Sequence, residues 1–263
     1  MSHNDELLAL YDAYCQAGSM SPNTRALKRN YLRRFGAEHD LLTCTSQQIV
    51  EWLSRNPDWK PATRRSARSA LTTFFSWARK MGHRDDDPAA DTMAVRVPPG
   101  APKPCPESVL QHALAKADDR GRLALLLGAY AGLRRAEIAT LHADLIDLEA
   151  GTMRITGKGG RTRVVPIAEA LVEPLTEAKA RGGYLFPNGS GHITPTTLGR
   201  IVKPYLGPGL STHTLRHRFA TRVYAGSRNL RATQELLGHA SIATTERYTA
   251  VTDTERREAV AGL

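Results

Sequence analysis

Four stretches carry side chains able to do chemistry: Ala131-Gly-Leu-Arg134-Arg-Ala-Glu137-Ile138, Gly157-Lys158-Gly159-Gly160, His213-Thr-Leu-Arg216-His-Arg-Phe-Ala-Thr221, and Leu237-Gly-His239 with Thr244-Thr-Glu-Arg-Tyr248-Thr249. Arg134 and Arg216 present planar forks of donors that match oxyanions and stay charged at any working pH. His213 and His239 can move or share protons near neutrality. Tyr248 can attack an electrophile only if a base or a cationic field activates its phenol, whose ordinary pKa is about 10. This assortment suits attack on a phosphodiester, where negative charge builds on the non-bridging oxygens and must meet positive charge. Metal-dependent nucleases hold a cation with paired carboxylates, and the sequence has no compact Asp, Glu and His set of that spacing. Asp85-Asp86-Asp87 precede Pro88 and read as a solvated turn. No Gly-x-x-x-x-Gly-Lys-Ser/Thr loop is found, so neither a metal nor a nucleotide cofactor is expected.

Each stretch alone also fits a purely structural role. Gly132-Leu-Arg134 could be a helix-entry turn, and Lys158 an ordinary hairpin lysine. His213 and Arg216 could be a local i,i+3 surface pair, and Gly238-His239 a helix cap. Tyr248 taken singly reads as a packing residue.

The elements that must position them are mostly helical. In the first part, Leu7, Leu8, Leu10, Tyr11 and Tyr14 recur at helical spacing, and Ser21-Pro22 opens a second helix holding Leu27, Tyr31, Leu32 and Phe35. A third helix starts near Thr43 to Ser46, and a fourth spans about Ala62 to Met81 before Gly82, with Ala67, Leu71, Phe74, Phe75 and Ala78 as its apolar stripe. Arg25, Lys28 and Arg29 on the second helix and Arg64, Arg65 and Arg68 on the fourth form basic faces, which a solvated surface would equally explain. The second part reads as helices over Glu107 to Ala117, Arg122 to Ala131 and Ala136 to His142. Strands Gly151 to Thr156 and Arg161 to Pro166 follow, turning at Gly157-Lys158-Gly159-Gly160. From Ile167 the pattern returns to helix, with a loop at Pro187 to Gly191 and a last helix over Asp253 to Val260.

The 263 residues suffice for two domains. Arg96 to Pro106 is dense in proline and reads as an extended connection, giving a helical domain 1–97, a linker 98–106 and a mixed domain 107–263. The fold class expected is mainly α with a small β-hairpin. The net charge of +10 suits a polyanionic partner, and both parts share it: 14 basic and 11 acidic residues through Val97, 22 and 15 beyond. No long apolar run or basic leader argues for a membrane. Cys15, Cys44 and Cys105 are widely spaced and suggest reduced thiols in an intracellular protein.

In this order and local wording, the four stretches resemble the tyrosine recombinases, also called phage integrases, and the helical first part resembles that family's core-binding domain. The resemblance implies that Tyr248 attacks the scissile phosphorus to form a 3′-phosphotyrosyl bond, with Arg134 and Arg216 clamping the phosphate. It further implies His213 as base and then acid, Lys158 as the proton donor to the leaving 5′-oxygen, His239 on a phosphate oxygen, and Glu137 orienting the site. It implies double-stranded DNA bearing core sites as partner, a homo-tetramer on DNA from a protein that is monomeric in solution, a Holliday junction, and a cytoplasmic, nucleoid-associated setting. The residues after Tyr248 would form a short helix docking on a neighbouring protomer. Helices that begin almost at Leu7 leave no room for an arm-binding domain, so a simple-site recombinase is expected. A type IB topoisomerase or a catalytically silent DNA-binding protein are the rivals; the Leu237-Gly-His239 to Tyr248 wording favours the recombinase.

Overall fold

The computed structural model describes residues 3–98, 100–157 and 160–238, and the chain divides into two compact units, Met1–Pro99 and Gly100–Leu263.

The first unit contains helices α1 (His3–Ala17), α2 (Pro22–Gly36), α3 (Ser46–Ser54) and α4 (Pro61–Lys80). Their starts are set locally. The Ser21 hydroxyl accepts from the Thr24 N–H ahead of Pro22, Thr45 and Gln48 satisfy each other's backbone N–H across the first turn of α3, and Pro61 opens α4. Gly82, at φ +75°, follows the last turn of α4. The stripe Ala67, Leu71, Phe74, Phe75 and Ala78 is fully buried against Tyr11, Leu32, Phe35, Ile49 and Trp52. Each large apolar side chain contributes about 1.5–3 kcal/mol there. Leu10, Tyr14 and Leu27, which share the helical spacing, face outward. An apolar arc wider than the available core leaves its margins exposed.

The second unit begins with α5 (Glu107–Lys116), α6 (Asp119–Tyr130) and α7 (Arg135–Ala139), then a 3-10 turn (Ala143–Leu145). A sheet follows, β1 (Ile146–Asp147), β2 (Thr152–Thr156) and β3 (Thr162–Pro166), antiparallel in the order β1-β2-β3. After α8 (Glu169–Arg181) come β4 (Pro187–Asn188), β5 (Gly191–His192), α9 (Pro195–Leu206), α10 (Thr212–Ser227) and α11 (Leu230–Leu237). The apolar run of α6 is buried on nearly every face, which makes this helix the axis on which α8, α9 and α10 pack. Arg218 of α10 ties the layer together, donating to the Glu107 carboxylate at 2.6 Å and the Ala129 carbonyl at 3.1 Å.

Several boundaries differ from the sequence reading for local reasons. Helix α6 starts three residues before Arg122, because the Asp118 carboxylate accepts from the Gly121 N–H at 2.7 Å. Helix α7 runs from Arg135 to Ala139 and stops short of His142. The stretch Pro187 to Gly191, read as a loop, is a small hairpin in which Pro187 pairs with His192 and Asn188 with Gly191. Gly189 at φ +57° supplies its two-residue turn. Within the proline-rich connection, the Lys103 and Cys105 N–H groups are anchored on α10: Lys103 donates to His217 Nδ1 at 3.0 Å and Cys105 to the Thr214 carbonyl at 2.9 Å. All three cysteines are free and buried. The last helix expected, 253–260, lies outside the described residues.

Candidate active site

The geometry starts from a turn that only glycine fits. Gly132, between α6 and α7, has φ +62°, and a Cβ there would stand 2.3 Å from the Phe219 ring. The turn delivers Arg134 to the head of α7, where its backbone N–H donates to Glu137 Oε2 at 2.8 Å. The Glu137 side chain is then only 3% exposed and is surrounded by arginines. Its Oε1 accepts from Arg134 Nη1 at 2.8 Å and Arg163 Nη1 at 2.9 Å, its Oε2 accepts from Arg163 Nη2 at 2.8 Å, and Arg216 Nη1 lies 3.8 Å from Oε2. Burial alone would raise the carboxyl pKa. The hydrogen bonds from Arg163 and from the Arg134 backbone outweigh it and hold the group at about 2, so Glu137 is ionised throughout the working range.

The same three arginines close over the end of α11. Gly238, at φ +61°, terminates that helix and leaves its last carbonyls without helical partners. Arg163 Nε donates to the Leu236 carbonyl at 2.9 Å, Arg216 Nη2 to that of Leu237, and Arg134 Nη2 to that of Gly238 at 3.1 Å. Three consecutive carbonyls at the negative end of the helix dipole thus meet three guanidinium groups. Arg216 donates in addition to the Gly132 carbonyl at 2.6 Å, which links the glycine turn to α10. The side chain of Arg216 is 3% exposed and that of Arg134 36%, so Arg134 is the more open of the two to an incoming anion.

His213 stands in the first turn of α10, where the Ser211 hydroxyl accepts from its N–H at 3.2 Å, and Arg216 follows it by three residues. Desolvation of the ring lowers its pKa below the ordinary histidine value, and the positive charges of Arg216 and Arg134 lower it further. One turn on, His217 Nε2 lies 2.8 Å from His213 Nε2, with the rings edge to face.

Arg134, Glu137, His213 and Arg216 are thus brought together, while Lys158, His239 and Tyr248 lie outside the described residues. The residues leading into two of those segments adjoin the site. A Cβ on Gly157 would sit 3.3 Å from Glu137 Oε1, and one on Gly238 would sit 3.0 Å from Arg163 Cδ. Arg163 is the residue that sequence reasoning missed. Its signal was the strand alternation: Arg163 lies two residues from buried Val165 and pairs with buried Ile155, so it faces inward.

The basic residues of the first unit separate into two groups. Arg64 donates to the Leu53 and Asn56 carbonyls at 3.1 and 2.8 Å, and Arg68 to the Thr92 carbonyl at 3.0 and 2.6 Å. Lys28, its pKa lowered by burial, bridges to Thr73 Oγ1 at 2.6 Å, and Arg25 donates to Gln16 at 2.7 Å. Arg29 is exposed, 3.8 Å from Asp12, and Arg65 is exposed with no hydrogen-bond or ion-pair partner among the described residues.

Residues 106–255, which contain every one of these second-unit site positions, match the phage integrase family. The chain is 30% identical to the tyrosine recombinase XerA of Pyrococcus horikoshii, over 98% of its own length and 93% of the relative's. The chain belongs to the phage integrase family of tyrosine recombinases. Among solved structures, the integrase from mycobacterium phage Brujita is 32% identical, with a TM-score of 0.51 over 97% of this chain and 91% of that one. A lambda integrase dimer bound to a COC′ core site, 20% identical, shares the fold at a TM-score of 0.73 over 91% of this chain and 96% of that one. In this recombinase the small sheet does more than pair its own strands. Through Arg163 it also fixes the carboxylate that orients Arg134.

Proposed function

We propose that this site-specific DNA recombinase cleaves and rejoins double-stranded DNA with Tyr248 as the nucleophile, without metal or nucleotide cofactor. The observation that carries the reading is the convergence of Arg134 and Arg216 on buried Glu137 and on the last carbonyls of α11, directly before His239. A guanidinium has five N–H donors. Two of those on Arg134 hold Glu137 and Gly238, and the others have no partner among the described residues. Such a group receives phosphate oxygens without reorganising, and this preorganisation stabilises charge in the transition state.

Tyr248 loses its phenol proton to water in the cationic field of Arg134 and Arg216, and attack by its oxygen on phosphorus forms a 3′-phosphotyrosyl bond and expels the 5′-oxygen, which takes a proton from Lys158. His213 and His239 serve the phosphate and its proton transfers. The bond energy is retained in the phosphotyrosine, so a 5′-hydroxyl from a second duplex can reverse the step. The first unit, residues 1–97 in the sequence reading, acts as the core-binding domain, with Arg29 and Arg65 the side chains best placed for phosphate contacts. Four copies assemble on two core sites and pass through a Holliday junction.

A nicked suicide duplex tests the reading. The wild-type protein becomes covalently attached to DNA, and Tyr248→Phe binds without attachment; equal attachment by the variant removes Tyr248 from its role. Joining of two sites separates a recombinase from a topoisomerase, which would relax supercoils with a single site.

A further inference from the structure

We propose that His217 is a positioning residue that holds His213 in its Nδ1-protonated tautomer, so that His213 meets a phosphate oxygen as a neutral N–H donor. The proposal rests on the reading above in placing His213 at the scissile phosphate.

Hydrogen-bond direction runs one way along this chain of groups. The Lys103 backbone N–H can only donate, and it reaches His217 Nδ1 at 3.0 Å. His217 Nδ1 is therefore the unprotonated nitrogen, and the neutral ring carries its proton on Nε2. That proton lies between His217 Nε2 and His213 Nε2, 2.8 Å apart, so His213 Nε2 is the acceptor. The remaining proton of neutral His213 is on Nδ1, which has no hydrogen-bond partner among the described residues. A proton added at His213 Nε2 would set two N–H groups against each other across the 2.8 Å contact, and the charges of Arg216 and Arg134 oppose the added charge as well. His213 acts as a general base at Nε2 only if the contact with His217 opens. With the contact closed, Nδ1–H is what the ring offers. Second-layer partners that fix a histidine tautomer in this way typically change activity 10–100-fold when removed.

Two substitutions divide the contact. Glutamine at 217 places an amide donor near the Nε2 position, whereas asparagine reaches only to the Nδ1 position. In ¹⁵N-histidine-labelled protein near pH 7.5, two-bond ¹⁵N–¹H correlations, assigned with His213→Asn, report which nitrogen of His213 bears the proton. The expected result is Nδ1–H in the wild type and in His217→Gln, and a shift towards Nε2–H in His217→Asn. Single-turnover cleavage of the nicked duplex falls about 10–100-fold in His217→Asn and recovers most of that loss in His217→Gln. An Nε2-protonated His213 in the wild type, or an Nδ1-protonated His213 retained in His217→Asn, overturns the proposal. The wild-type spectrum needs no substitution at position 217, so loss of folding in a variant does not shield the idea. An expected tautomer in a wild type that never cleaves DNA supports the positioning and overturns the recombinase reading instead.

Discussion

Glu137 and Arg163 form a side-on pair, Oε1 to Nη1 at 2.9 Å and Oε2 to Nη2 at 2.8 Å, with the carboxylate buried. Glu137→Gln removes the charge that three guanidinium groups share and should lower stability by about 3–5 kcal/mol, read from urea unfolding. The carboxyl titrates at about 2 folded against 4.5 unfolded. Its contribution is therefore complete above about 4.5 and is lost as pH falls from there through about 2. The acid limb of the wild-type stability curve should flatten in Glu137→Gln; an unchanged limb would mean that other groups govern acid unfolding.

Arg216→Lys keeps the charge but cannot span the Gly132 and Leu237 carbonyls with one planar group. Cleavage of the nicked duplex should fall about 10²–10³-fold, the usual loss for one preorganised oxyanion donor. Cleavage at the wild-type rate would show that Arg216 serves only structure.

Gly132→Ala meets two obstacles at once, a φ of +62° and a ring carbon 2.3 Å from the new Cβ. Left-handed backbone costs about 1–2 kcal/mol and overpacking about 1–3 more, so the unfolding midpoint should drop accordingly. Arg134 hangs on this turn, and cleavage should fall with stability.

Arg65 and Arg68 are neighbours in α4 with opposite predictions. Arg65→Ala should leave melting unchanged while reducing the salt dependence of DNA binding by about one unit of log–log slope. Arg68→Ala cuts the bond to the Thr92 carbonyl and should lower the melting temperature. An unchanged slope in Arg65→Ala would take this face of α4 off the DNA.

Lys158→Ala should cleave ordinary DNA poorly and recover on a 5′-bridging phosphorothiolate, whose sulfur leaves without a proton. No recovery assigns the proton to another group.

The helices of the first unit were legible because their signals are local. Ser21, Thr45 and Pro61 start elements within one turn of themselves, and the α4 stripe recurs at helical spacing. The Arg134, His213 and Arg216 stretches were legible for the same reason, since each keeps its chemistry within a few consecutive residues. The fates of the other basic residues were not, because a charged side chain reads alike whether it faces water or a distant carbonyl. Only packing showed that Arg64 and Arg68 hold Leu53, Asn56 and Thr92 while Arg65 is exposed, without a hydrogen-bond or ion-pair partner among the described residues.

Sequence alone determined which residue types gather in which elements, and hence the family and its phosphoryl-transfer chemistry. Tertiary structure decided the alliances: Arg163 of β3 on Glu137 of α7, three arginines on the carbonyls that end α11, and Lys103 on His217. Hydrogen-bond direction and strand register join groups far apart in the chain, and neither acquires a value until the elements that carry them have packed.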